Sequence, residues 1–148
     1  MCLRLNNKKQ IRQTRKSYKV YILKSLGKKI RVESIYQAST HTLEKGGFIV
    51  SNRVNKQGIT PAEESHGVVY NGIHLYTRLR DAYHEIDSGA DLVIVQMLCS
   101  KADYIANGVF CGRPSAVYSK VKPIKIVAYY KNGKKMSLKE ITKIFNGK

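Results

Sequence analysis

Apolar residues in this chain come in short runs broken by Gly, Asn and Lys, a pattern of strands more than of long helices. The run Val20-Tyr21-Ile22-Leu23 predicts a strand over residues 19–26, Gly27-Lys28-Lys29 a turn, and the alternation over residues 30–36 a returning strand. Together they make a hairpin with Lys28 and Lys29 at its tip. Phe48-Ile49-Val50 predicts a further short strand, and residues 68–70 and 73–76 predict two more around an Asn71-Gly72 turn. Residues 92–98, nearly all apolar, predict the most deeply buried strand. Residues 124–130 predict another, ended by Asn132-Gly133.

Helical periodicity is confined to three places. Thr60-Pro61 opens a short helix, with Thr60 as its cap and Pro61 at its first position. Leu79, Ala82, Tyr83 and Ile86 recur at i, i+3, i+4 and i+7 behind Thr77 as N-cap, and Ser88-Gly89 ends the pattern. Ser137-Leu138-Lys139-Glu140 is a capping box opening a last helix with Leu138, Ile141, Ile144 and Phe145 on its apolar side. The expected fold is therefore α+β, a mixed or antiparallel sheet with two or three short helices. Residues 1–17 carry five bases by residue 15 and little periodicity, so they read as a basic N-terminal arm. Residues 18–148 read as a single α+β domain with a basic C-terminal strand and helix. Residues 37–66 are the least legible stretch.

Charge changes this picture more than composition does. The formal charge of +17 is divided into +10 over residues 1–35, −1 over 36–119 and +8 over 120–148. A compact domain gains nothing from that much self-repulsion, so basic flanks around a near-neutral middle predict a polyanionic partner. Nineteen of the 27 bases are Lys, a flexible point charge suited to the nucleic-acid backbone more than to base edges. Should the two basic ends pair in one sheet, their charge would share a face with Tyr18, Tyr21, Tyr129 and Tyr130 interleaved, as on a single-strand platform. The predicted backbone contacts are Lys8, Lys9, Arg12, Arg15, Lys16, Lys19, Lys28 and Lys29 with Lys122, Lys125, Lys131, Lys134 and Lys135. If about six phosphates were neutralised on duplex DNA, log K would fall with log salt at a slope of roughly −5.

Candidate chemistry is thin. Three Cys with no CxxC pair fit a reducing cytosol, and no zinc pattern is present, so no metal is expected. No apolar run reaches the length of a membrane span, and Arg4, Lys8 and Lys9 are followed by polar residues where a secretory leader would be apolar. Removal of Met1 would leave Cys2 as an N-terminal thiol beside its own α-amine, a nucleophile arrangement.

Gly72-Ile73-His74-Leu75-Tyr76, Ala82-Tyr83 and Leu92-Val93-Ile94-Val95 resemble a strand–helix–strand piece of ADP-ribosyltransferase-like folds. That resemblance implies NAD as cofactor, with His74 and Tyr76 bordering the nicotinamide pocket. Such transferases need a late carboxylate, whereas residues 104–139 hold no Asp or Glu and Glu140 opens a helix. Met1-Cys2-Leu3, Val20-Tyr21-Ile22-Leu23 and the Gly72–Tyr76 strand also resemble small bacteriophage accessory proteins. This likeness implies a protein acting in the bacterial host cytoplasm, on the host or a defence system. The expectation is a non-enzymatic phage protein that binds nucleic acid, DNA or RNA, or a host complex containing it, with no cofactor. The alternatives are an ADP-ribosyltransferase-like or N-terminal-Cys enzyme, with Cys2, His74 and Tyr76 as its residues, and an inhibitor docking on an acidic host protein.

Overall fold

A computed structural model describes residues 3–5, 15–36, 39–51, 58–87 and 89–147. Cys2, Lys8, Lys9 and Arg12 lie outside the described residues. Strand accounts for 53% of the described residues and three short α-helices accompany it, so the α+β expectation holds in a sheet-dominated form.

The strands are β1 (Leu3–Leu5), β2 (Arg15–Leu26), β3 (Ile30–Ser34), β4 (Thr40–Leu43), β5 (Ile49–Val50), β6 (Val68–Val69), β7 (Ile73–Tyr76), β8 (Leu92–Cys99), β9 (Tyr104–Phe110), β10 (Arg113–Tyr118), β11 (Lys120–Lys131) and β12 (Lys134–Lys135). The helices are α1 (Pro61–His66), α2 (Leu79–Ala82) and α3 (Lys139–Phe145). The sheet runs β12-β11-β8-β2-β7-β10-β9-β1-β6, with β3 on β2, β4 on β3 and β5 on β11. Every pairing between described strands is antiparallel.

The sheet curls into a half-barrel. Register shifts at Leu23/Ser25, Pro123/Lys125 and Ile126/Ala128 fall in the two twelve-residue strands, where each local break adds twist and bend. Inside the curl, Tyr21, Leu75, Val93, Val95, Met97, Tyr118 and Ile126 form the main core, closed by Ile30 and Val32 of β3 and by Ile141 and Phe145 of α3. On the outer face, Val20, Ile94, Leu92 and Ala128 pack beneath Ala82, Leu79 and Ile86. A third cluster joins Leu3, Val69, Ile105 and Val117 at the far end of the sheet.

The predicted hairpin is present as β2 and β3. The Thr60 cap is present too: its hydroxyl accepts from the Glu63 N–H at 3.2 Å, and the Glu63 carboxylate accepts from the Thr60 N–H at 3.0 Å. Four expectations change. The Ser137 capping box does not form, because Leu138 takes the cap position of α3 and the Ser137 hydroxyl accepts from the Lys139 N–H at 3.3 Å. Leu3–Leu5, placed in an arm by its polar surroundings, is a strand whose Leu3 is fully buried, and the basic residues Arg15 and Lys16 already belong to β2. Residues 68–69 and 73–76 do not pair with each other, because β6 joins β1 while β7 joins β10 and β2. The helix behind Thr77 stops at Ala82 and continues as one 3-10 turn over Tyr83–Glu85, with Arg78 at the cap position. Thr77 instead donates its hydroxyl to the Pro114 carbonyl across the sheet.

Candidate nucleic-acid interface

Strand pairing brings the two basic ends together. β8 lies between β2 and β11, so N-terminal and C-terminal bases sit two strands apart in one sheet. Residues opposite one another in antiparallel strands point to the same face, and neighbours along a strand alternate. Ser17, Met97 and Val121 are buried, with Met97 and Val121 in the main core, so their neighbours Lys16, Leu98, Lys120 and Lys122 face outward. Lys16, Leu98 and Lys122 form one row across β2, β8 and β11. Tyr18, Gln96 and Lys125 form the next, with the Gln96 amide donating to the Tyr18 hydroxyl at 3.2 Å.

The outer row continues onto β5, where Val50 opposes Lys120. Phe48, one residue before β5, places its ring 4.6 Å from the Lys120 ammonium and 5.6 Å from that of Lys122. Phe48 is 57% exposed, Val50 52% and Leu98 37%. Of the six large apolar side chains exposed among the described residues, three therefore stand on this one patch. A cation over an exposed ring contributes only about 0.5–1 kcal/mol, so these lysines are easily redirected to another anion. Among the described residues, no carboxylate lies within 4.0 Å of the ammonium of Lys16, Lys120, Lys122 or Lys125.

Not every predicted base joins this surface. Arg15 and Lys19 alternate with Lys16 and face inward with Ser17 and Tyr21. The Arg15 Nε is buried, and the Lys19 ammonium donates to the His74 carbonyl at 3.0 Å and lies 5.6 Å from the Tyr21 ring. Burial lowers the Lys19 amine to about 8, with Glu85 pulling the other way. Lys28 and Lys29 are exposed at the β2–β3 turn, where Lys29 pairs with Glu44 at 3.4 Å. Lys131, Lys134 and Lys135 are exposed around the Asn132-Gly133 turn. That turn stands about 30 Å along β11 from Lys122, at ~3.3 Å per residue, so only an extended ligand could touch both. The tyrosines separate as well. Tyr21 is fully buried and Tyr129 packs against the main core, leaving Tyr18 and Tyr130 on the outer face. Neither Lys120 nor Phe48 is among the contacts predicted from sequence. The signal for Phe48 was a large aromatic next to the Gly46-Gly47 pair in a short strand beside no predicted partner.

A second polar site occurs where the sheet splits. β2 pairs with β7 only at Tyr18–Tyr76 and with β3 from Tyr21 onward. Tyr18, Val20, Ile35, Tyr36, His74, Tyr76 and Glu85 line the resulting cleft. The Glu85 carboxylate accepts from the hydroxyl of Tyr36 at 3.0 Å and from that of Tyr76, with Phe110 packed edge-on against Tyr36. Burial and then Glu85 raise the Tyr36 phenol to about 12, and the same causes hold Tyr76 far above the usual phenol range. The His74 ring is buried with Nδ1 and Nε2 each 3.1 Å from a backbone carbonyl, those of Gly72 and Val69. Its pKa falls to about 4, because burial outweighs the pull of both carbonyls and Lys19 adds to the depression.

His74 and Tyr76 both line this cleft. The cleft holds about 20 Å³, room for roughly one water, where ligand sites run to ~300 Å³ or more. His74 and Glu85 are both committed to internal partners. Among the described residues, no group of three or more His, Cys, Asp or Glu could hold a metal ion, and no helix is long and apolar enough to cross a membrane. No protein family, curated protein or solved structure matches this chain.

Proposed function

We propose that this protein binds nucleic acid through the outer end of the β5–β11–β8–β2 sheet, as a non-enzymatic phage accessory protein in the bacterial cytoplasm. The observation that carries the reading is the row Lys16–Leu98–Lys122 with Lys120, Lys125 and exposed Phe48, four ammonium groups without a carboxylate partner among the described residues. Phosphates supply the missing counter-charge, and Lys makes the contact backbone-directed and tolerant of sequence. The net charge of +17 raises the on-rate toward any polyanion. The phage setting rests on the Met1-Cys2-Leu3, Val20–Leu23 and Gly72–Tyr76 motifs. The one-water cleft and the internally bonded His74 support binding over the NAD-dependent alternative.

Fluorescence anisotropy of a labelled oligonucleotide against salt tests the reading. Four lysines on single-stranded phosphates predict a log–log slope of about −3, steeper where the exposed terminal bases join. A flat salt dependence contradicts it. Pull-down from lysate with and without nuclease separates this reading from docking on an acidic host protein, which would survive nuclease.

A further inference from the structure

Deepening that reading, and resting on it, we infer that Phe48 is a base-stacking residue and that the preferred ligand is single-stranded. The ring is held out from the sheet by a fixed backbone. On one side the Lys45 N–H donates to the Phe145 carbonyl at 3.1 Å and the Gly46 N–H to the Pro123 carbonyl at 3.0 Å. On the other the Ser51 N–H donates to the Ser119 carbonyl at 2.9 Å. Gly46 sits at φ 78°, a left-handed conformation that lets the chain turn sharply just before the ring. With 57% of its surface exposed and no place in the hydrophobic clusters, the Phe48 side chain contributes little to the fold's own packing. Because it is already ordered, it loses little entropy on meeting a flat partner.

The chemistry around the ring identifies that partner. Lysines flank it on the adjacent strand, and no carboxylate approaches them among the described residues, so the flat partner carries negative charge. A nucleobase joined to phosphates meets both demands. In a duplex the bases stack on each other and present no open face, whereas in a single strand each base has one. From Phe48 at β5 to Lys16 on β2 is three strand spacings, about 14 Å, so a strand lying across the sheet from the ring reaches Lys122 and then Lys16. Lys120 and Lys122 then exchange a weak ring contact for phosphate.

The chain contains no Trp, so Phe48→Trp creates a single reporter at the proposed contact. Three probes are titrated: a ~15-nucleotide oligothymidylate, a duplex of similar length, and inorganic polyphosphate, which carries charge without bases. Quenching of the Trp by the oligothymidylate but not by polyphosphate is the expected result. Phe48→Ala and Phe48→Leu should each weaken oligothymidylate binding about 5- to 150-fold, with polyphosphate and duplex affinity unchanged. The exposed position makes both variants compatible with folding. If Phe48→Ala changes oligothymidylate affinity less than about 2-fold while Lys122→Gln weakens it, stacking is refuted and the polyanion reading stands. Equal losses on all three probes also refute stacking. Failure of all three probes to bind overturns the underlying reading itself.

Discussion

Acid should destabilise this protein through one buried imidazole. His74 is 1% exposed, so solvent does not screen it. Its pKa drops to about 4, from an unfolded value near ~6.5. A folded-state value below the unfolded one means that the unfolded chain binds the proton first. The stabilisation is therefore complete above about pH 6.5 and is lost progressively as pH falls toward about 4. Linkage over that window gives a loss of about 2.5 kcal/mol between pH ~7.5 and pH ~4.5, of order a sixth to a half of a typical domain's stability. The assay is urea denaturation followed by far-UV circular dichroism at the two pH values, on wild type and His74→Asn. The variant is less stable at neutral pH but should lack about 2.5 kcal/mol of the wild-type pH dependence. The two carbonyls at 3.1 Å provide the refutation. Were their attraction for an imidazolium the stronger effect, wild type would gain stability over the same acid range relative to the variant. Equal pH slopes in the two proteins would equally defeat the argument.

Other outcomes follow from single contacts. A Cβ on Gly108 would lie 2.1 Å from the Arg4 carbonyl oxygen and 2.9 Å from a Leu3 methyl, so Gly108→Ala should force β1 off β9. The expected cost is about 1–3 kcal/mol or more in urea denaturation, and an unchanged midpoint would show that β1 does not dock there. Glu85→Gln removes the charge beside Tyr36, so the Tyr36 phenol should titrate below its present value of about 12. Burial keeps it above the ordinary range, and absorbance at alkaline pH reads the shift. Lys120→Gln and Lys122→Gln should each flatten the salt slope of oligonucleotide binding by about 0.7, uniformly across sequences.

Local signals were readable where one residue decides the geometry. Thr60 and Glu63 cap α1 reciprocally, and Asn132-Gly133 takes positive φ at both positions, as the dipeptide implies. The β9–β10 hairpin escaped notice because Cys111-Gly112 occupies the same two left-handed positions without the usual Asn or Asp. Non-local choices were not legible. Asn71-Gly72 looks like a hairpin turn, yet Gly72 is required because a Cβ there would meet Val117 at 2.5 Å, and the flanking strands pair elsewhere. At the site, the basic ends were visible as composition. Which bases face outward depends on the parity of β2 against β8, and that register divides Lys16 from Lys19. Phe48 gained its significance only from the strand it lies beside.

Salt-dependent binding decides whether the outer lysine row holds nucleic acid. The most direct measurement is anisotropy of a single-stranded oligonucleotide from about 50 to about 300 mM salt, comparing wild type with a variant in which Lys16, Lys120, Lys122 and Lys125 are all Gln. The expected wild-type slope is about −3 or steeper, reduced by about 3 in the variant together with a large loss of affinity at low salt. A variant that binds with the wild-type slope and affinity would contradict it.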